Sequence, residues 1–242
     1  MATDITDDLV AGIAHWAECE SPTKDAQAVE RMLDIVEAEF AGAPVGIERI
    51  PGKDGFAGVL AVRAGPDNGQ PHALVLSHID TVHPIGTKTD HNPVRVEGER
   101  LYGPGVFDMK GGAYMGMAAF RKAARDDTLN RPTLYLFTPD EEMGSISTRP
   151  YIEESAKGAA HVLVTEPARP GGRVVTARRG SCRYDVFVKG IPAHSGSGQA
   201  IGRSAIREAA HQILRIEDQN DEARGVSATI GLINGGTAAN TI

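Results

Sequence analysis

Hydrophobic positions along the chain follow two periods that alternate. Within residues 4–18, Leu9, Ile13 and Trp16 fall at helical spacing. The stretch "SPTKDAQAVERMLDIVEAEFAG" predicts a second helix, with Ser21 and Thr23 as caps and Pro22 in the first turn. Val29, Leu33, Val36 and Phe40 form its apolar stripe, and Gly42 ends it. Three short apolar runs then read as strands: "VGIERI", "AGVLAVRAG" and "HALVLSH". Residues 109–126 predict a helix opened by two glycines and packed through Met115, Met117 and Phe120. "TLYLFTPDEE" reads as a strand, 147–157 as a helix, and "HVLVTEP" as another strand. Strands alternating with helices predict an α/β fold, a mostly parallel sheet flanked by helices.

The pattern changes near Val174. "SCRYDVFVKG" alternates strictly, with Cys182, Tyr184, Val186 and Val188 on one face, as in a half-buried antiparallel strand. A helix at 202–217 and the run "GVSATIGLING" follow. The reading is therefore two domains: 1–175, and a smaller α+β domain, 176–242, with an antiparallel sheet. The boundary lies around "ARPGGR".

Composition adds exclusions. Of 242 residues, 41% are hydrophobic and 24% charged, which is ordinary for a globular protein. A net charge of -7 argues against a nucleic-acid surface. Two cysteines, Cys19 and Cys182, make neither a disulfide framework nor a thiolate zinc site. The acidic start "MATDITDDLVAG" is unlike a signal peptide, and no window reaches transmembrane length. These features predict a cytoplasmic protein with no membrane or nucleic-acid partner.

Candidate chemistry sits at strand ends. "LVLSHIDTVHPIG" runs from apolar residues into His78 and Asp80, which share a face if the strand continues. Such a pair suits a metal-ligating imidazole and the carboxylate that orients it. "FTPDEEMGS" ends in Glu141 and Glu142, "VLVTEPA" in Glu166, and the glycine-rich "LYGPGVFDMKGG" carries Asp108. Open α/β sheets bind ligands at the carboxyl ends of their strands, so these groups are expected to gather. One imidazole among carboxylates suits zinc or another divalent ion, and the set is rich enough for two metals. Adjacent Glu141 and Glu142 point different ways in extended chain, so one can ligate while the other serves as base. Each piece alone has a plainer reading: a loop histidine, a turn or helix cap, a solvated charge run. Their joint position and order carry the argument.

Together these pieces, with "GIPAHSG" and "GGTAANTI", closely resemble the zinc-dependent aminoacylase and glutamate-carboxypeptidase family, nearest its glutamate-carboxypeptidase branch. The resemblance spans almost the whole chain in the family's order. It implies two zinc ions per complete subunit, with cobalt or manganese as alternatives. His78 is expected to ligate one zinc with Glu166, Asp80 to orient His78, Asp108 to bridge the two, and Glu142 to ligate the other. Glu141 is expected to be the general base. The second domain becomes a lid through which a homodimer forms, with His194 reaching the neighbouring subunit's site and Asn240 holding substrate. The implied reaction is hydrolysis of an amide or peptide bond beside a carboxylate, in a small peptide or N-acyl amino acid. A deacylase of N-acyl amino acids is the alternative, and a non-catalytic binding or dimerisation module a third reading. Family members continue past "GGTAANTI" to a further zinc-ligating histidine and a substrate-binding arginine. The resemblance therefore implies that this chain is a fragment, expected to hold the first metal more tightly and to expose an apolar face.

Overall fold

The structure is a computed structural model that describes residues 2–242, with side chains from residue 6 onward. The chain divides into two compact units, Met1–Arg173 and Val174–Ile242.

The first unit opens with helices α1 (Ala2–Glu18) and α2 (Ala26–Ala38), then strands β1 (Gly46–Ile50), β2 (Val59–Ala64) and β3 (Ala73–His78). A short helical turn α3 (Thr87–Asp90) and the hairpin β4 (Arg95–Glu97) and β5 (Arg100–Tyr102) follow. A π-type turn, Val106–Lys110, leads into α4 (Gly111–Arg125). Then come β6 (Thr133–Thr138), α5 (Arg149–Ala156) and β7 (His161–Val164). α1, α2, α4, α5 and strands β1, β2, β3, β6 and β7 match those the hydrophobic periods predict, within a few residues at their ends, whereas α3 and the β4–β5 hairpin are not among those predicted.

The sheet is mixed rather than mostly parallel. Its order is β1-β2-β6-β3-β7, with β1–β2 and β2–β6 antiparallel and β6–β3 and β3–β7 parallel. Strand alternation dictates the layers. Leu60 and Val62 of β2 and Tyr135 and Phe137 of β6 face a core shared with Trp16, Val29, Met32, Leu33, Val36 and Met117 of the helices. Val59, Ala61, Leu134 and Leu136 face the opposite side, where Tyr151 and Ala156 of α5 cover them. Every residue of β6 is buried, as a central strand with both faces covered requires. Trp16 is fully buried, edge-on to Tyr114 at 5.1 Å between ring centroids.

Three local expectations are corrected. Met115 is 50% exposed; α4 packs instead through Ala113, Tyr114, Met117 and Phe120. The cap of α2 is Asp25, which accepts from the Ala28 N–H at 3.0 Å, not Ser21 or Thr23. Gly42, in the left-handed region, lies past the end of α2 rather than closing it.

The second unit contains one helix, α6 (Ala205–Glu217), capped by Ser204, whose hydroxyl accepts from the Arg207 N–H. The expected antiparallel sheet is not formed among the described residues. The "SCRYDVFVKG" and "GVSATIGLING" segments carry no ladder, and only isolated bridges such as Ile191–Arg203 and His194–Thr241 occur. An alternating pattern specifies which residues share a face, but a strand also needs a neighbour to receive its backbone hydrogen bonds. Without one, Tyr184, Val186 and Phe187 are all exposed. Among the described residues, no helix is long and apolar enough to cross a membrane.

Candidate metal centre

The three parallel strands β6, β3 and β7 run in one direction, so their carboxyl ends share one edge. Register places His78 beside Thr138, and the Ile79 N–H donates to the Thr138 carbonyl at 3.0 Å. Beyond β7, the Thr165 N–H donates to the Leu76 carbonyl at 3.1 Å, which carries Glu166 to the same edge. Glu141 and Glu142 open a short 3-10 turn directly after Asp140, beyond the end of β6. Asp108 comes from the π-type turn before α4.

The side chains converge on the imidazole of His78. Its Nε2 lies 3.1 Å from Asp108 Oδ1, 3.6 Å from Glu166 Oε1 and 3.8 Å from Glu141 Oε2. Among the described residues, two groups have ligand atoms all within 4.8 Å of one another: His78 with Asp108 and Glu142, and His78 with Glu141 and Glu166. His78 belongs to both. On its other nitrogen, Nδ1 lies 3.0 Å from the Asp80 carbonyl and 3.3 Å from Asp80 Oδ1. The His78 and Asp80 side chains are 1% and 0% exposed, whereas those of Asp108 and Glu141 are 57% and 50% exposed. The orienting pair is thus inside the protein and the outer carboxylates open to solvent.

Electrostatics follow from this packing. Burial disfavours the imidazolium of His78, but the hydrogen bond and charge of Asp80, with Glu141 and Glu166, overcome it and raise the pKa to about 9. Burial raises the Glu142 pKa, and the neighbouring Asp108, Asp80 and Glu141 carboxylates add to it against the pull of His78. Negative charge concentrated enough to keep a proton on a buried imidazole also favours a divalent cation. The donors are one imidazole and carboxylate oxygens without a thiolate, which fits zinc, cobalt or manganese.

Several supporting residues escaped the sequence reading. Asp140, the first acid of "DEE", is buried; it accepts from the Ser147 N–H at 2.6 Å, the Ser147 hydroxyl at 2.9 Å and the Thr148 hydroxyl. It folds the loop that follows Glu141 and Glu142 and is not a solvated charge. Lys110 is fully buried and donates to the Trp16 and Cys19 carbonyls at 3.3 and 2.5 Å, tying the Asp108 turn to the end of α1. Burial lowers its pKa to about 8. Ser77, Tyr135 and the half-buried Thr165 join in a hydroxyl chain with links of 2.7 and 2.6 Å, beside His78 and Glu166 in sequence. The only available signal was polar residues inside otherwise apolar strands.

The two glycines after Lys110 are needed for a close approach. A Cβ on Gly112 would lie 1.8 Å from the Thr165 carbonyl oxygen, a backbone atom that cannot move aside alone. Gly112→Ala is expected to destabilise the first unit by roughly 1–3 kcal/mol and to displace the segment bearing Glu166. Thermal unfolding measured with metal titration checks this; an unchanged melting temperature and metal affinity would contradict the close approach.

His194 and Asn240 belong to the second unit, where "GIPAHSG" and "GGTAANTI" lie side by side. The Ser195 N–H donates to the Asn240 carbonyl at 3.0 Å and the Ile242 N–H to the Ala193 carbonyl at 2.8 Å. His194 is exposed, and its Nδ1 accepts from the Gly196 N–H at 3.1 Å. That bond leaves Nε2 to carry the proton of the neutral ring.

Carboxypeptidase G2 of Pseudomonas sp. (strain RS-16) is 28% identical over 243 residues, covering 100% of this chain and 58% of the relative. Succinyl-diaminopimelate desuccinylase of Gluconobacter oxydans (strain 621H) is 34% identical over 200 residues, covering 77% of this chain and 50% of the relative. The chain thus spans about half the length of these curated relatives. The fold is that of the aminopeptidase PepT from Bacillus cereus ATCC 10987, with a TM-score of 0.68 at 19% identity over 96% of this chain and 62% of that one. The model of peptidase family M20/M25/M40 matches residues 74–239, and the chain belongs to that family.

Proposed function

We propose that this chain carries the metal site and general base of a hydrolase that cleaves an amide or peptide bond beside a carboxylate. The observation that carries the reading is the convergence of Asp108, Glu141 and Glu166, from three separate segments, on one nitrogen of a buried histidine. His78, Asp108, Glu142 and Glu166 would hold the divalent ions, two in the complete site. A divalent ion supplies Lewis-acid polarisation of the scissile carbonyl and a more acidic attacking water.

The chain's own residues do the rest. Asp80 keeps the Nδ1 proton of His78 in place, so that Nε2 faces the site. Glu141 takes the proton of the attacking water on its carboxylate and delivers it to the departing nitrogen, so amide and water become carboxylate and amine. In the same reading the second unit is a lid that pairs two copies. The Nε2–H of His194 donates to the carbonyl oxygen in a partner copy's site as negative charge develops, and Asn240 helps hold the substrate. The tautomer set by the Gly196 contact supports that donor role.

Cleavage of N-acyl amino acids is the second reading, favoured by the similarity to a relative named as a desuccinylase. The test is a panel of dipeptides and N-acyl amino acids ending in glutamate, aspartate or neutral residues, assayed with metal content on the same preparation. Release of free amine that a chelator abolishes and zinc restores is the expected result. The preferred acyl group then separates carboxypeptidase from deacylase. A metal-loaded protein that releases amine from no member would leave only a binding role.

A further inference from the structure

The loop between α1 and α2 lies outside every motif that suggested chemistry, yet it is stitched to the strand end that carries His78. The Ser21 hydroxyl donates to the Ile79 carbonyl at 2.6 Å, and the Thr81 N–H to the Ser21 carbonyl at 2.9 Å. The Thr23 N–H donates to the Thr81 carbonyl at 3.3 Å. Between these backbone contacts, the Thr23 hydroxyl donates to Asp80 Oδ2 at 2.7 Å. Thr23 is 5% exposed and Asp80 fully buried. The helix cap that would otherwise occupy this hydroxyl is supplied by Asp25.

Asp80 is a shared support. Its Oδ1 lies 3.3 Å from His78 Nδ1 and accepts the Glu141 N–H at 3.3 Å; its Oδ2 accepts the Glu142 N–H at 3.3 Å. One carboxylate therefore fixes the ring of His78 and the backbone of both glutamates. The Thr23 bond is the shortest of the hydrogen bonds on that carboxylate, and it comes from a separate segment 57 residues away. Without it, Oδ2 keeps one long backbone donor in a water-poor site, and the carboxylate loses its shortest anchor.

We propose that Thr23 is a positioning residue of the metal site, acting through Asp80 to set His78 and the Glu141–Glu142 turn together. The proposal rests on the metal-hydrolase reading above for its consequence, but the contact can be tested without metal. Thr23→Val keeps the shape and removes the hydroxyl; Thr23→Ser keeps the hydroxyl. The measurements are cobalt affinity by chelator competition, the visible spectrum of bound cobalt, and the downfield proton signal of the His78 Nδ1–H in metal-free protein.

Thr23→Val is expected to weaken cobalt binding about tenfold, alter the cobalt spectrum, and shift or broaden the His78 proton signal. Thr23→Ser is expected to restore all three. Should the valine variant fail to fold, Thr23→Ala takes its place with the same readouts. A lower melting temperature with unchanged cobalt affinity, spectrum and His78 signal would overturn the proposal, leaving the loop a stability feature. A serine variant that behaves like valine would overturn it as well. If the wild-type chain takes up no cobalt, the hydrolase reading fails, while the His78 proton signal still decides the role of Thr23.

Discussion

Glu141→Gln is expected to lower amide hydrolysis by about 10²–10⁴-fold, roughly 3–5 kcal/mol of barrier, with bound metal retained. Glutamine keeps the length and shape of the side chain and an oxygen that can face the site, but it cannot take a proton from water. The backbone of residue 141 is anchored by its N–H to Asp80, so the substitution leaves the turn in place. The side chain is half exposed and its Oε2 stands 3.8 Å from His78 Nε2, at the solvent-open side of the cluster. Glu141 also falls within ligand distance of His78 and Glu166. Steady-state rates with metal content measured on the same samples separate the two roles. A rate within tenfold of wild type removes Glu141 as the base. Loss of metal in the variant places it among the ligands instead.

How much of this was legible in the chain depends on how local each signal is. The carboxyl-end positions of His78, Glu141, Glu142 and Glu166 follow from apolar runs that end abruptly in acids or histidine, and the structure places all four at one edge. Period alone reveals which residues share a face, and Leu134 and Leu136 against Tyr135 and Phe137 show that alternation at work. It does not reveal which strand lies alongside, so the antiparallel insertion of β2 beside β6 was invisible. The same limit applies to side chains with long-range partners. Thr23 reads locally as a helix cap because threonine before an amphipathic run usually is one; its partner lies 57 residues away. Asp140 reads as a solvated charge because two more acids follow it, yet its hydrogen-bond donors fold back over it from residues 147 and 148. Alternation at Cys182–Val188 reads as a strand, but with no neighbour to pair with in its own unit the ladder does not form.

His78→Ala is expected to weaken metal binding by more than about 100-fold, beyond the 10–100-fold that loss of an outer partner costs, and to abolish metal-dependent hydrolysis. His78 contributes the only nitrogen in either ligand group and is the one residue common to both. Its removal therefore takes the nitrogen ligand from either grouping, whereas loss of Glu142 or Glu166 touches only one of them. The fold should survive the change. Asp80 would still accept from Thr23, Glu141 and Glu142, and the backbone pairing of β3 with β6 and β7 does not use the imidazole. What remains at the edge is a cluster of carboxylates with no neutral or cationic member. Oxygen-only sites favour harder ions, so the variant should lose its preference for zinc and cobalt and bind manganese or magnesium comparatively better. Competition with chelators across these four ions measures both effects. Zinc affinity within tenfold of wild type in a folded His78→Ala protein would mean that the ion is held elsewhere, and the convergence on Nε2 would then be a buried ion pair and not a metal centre.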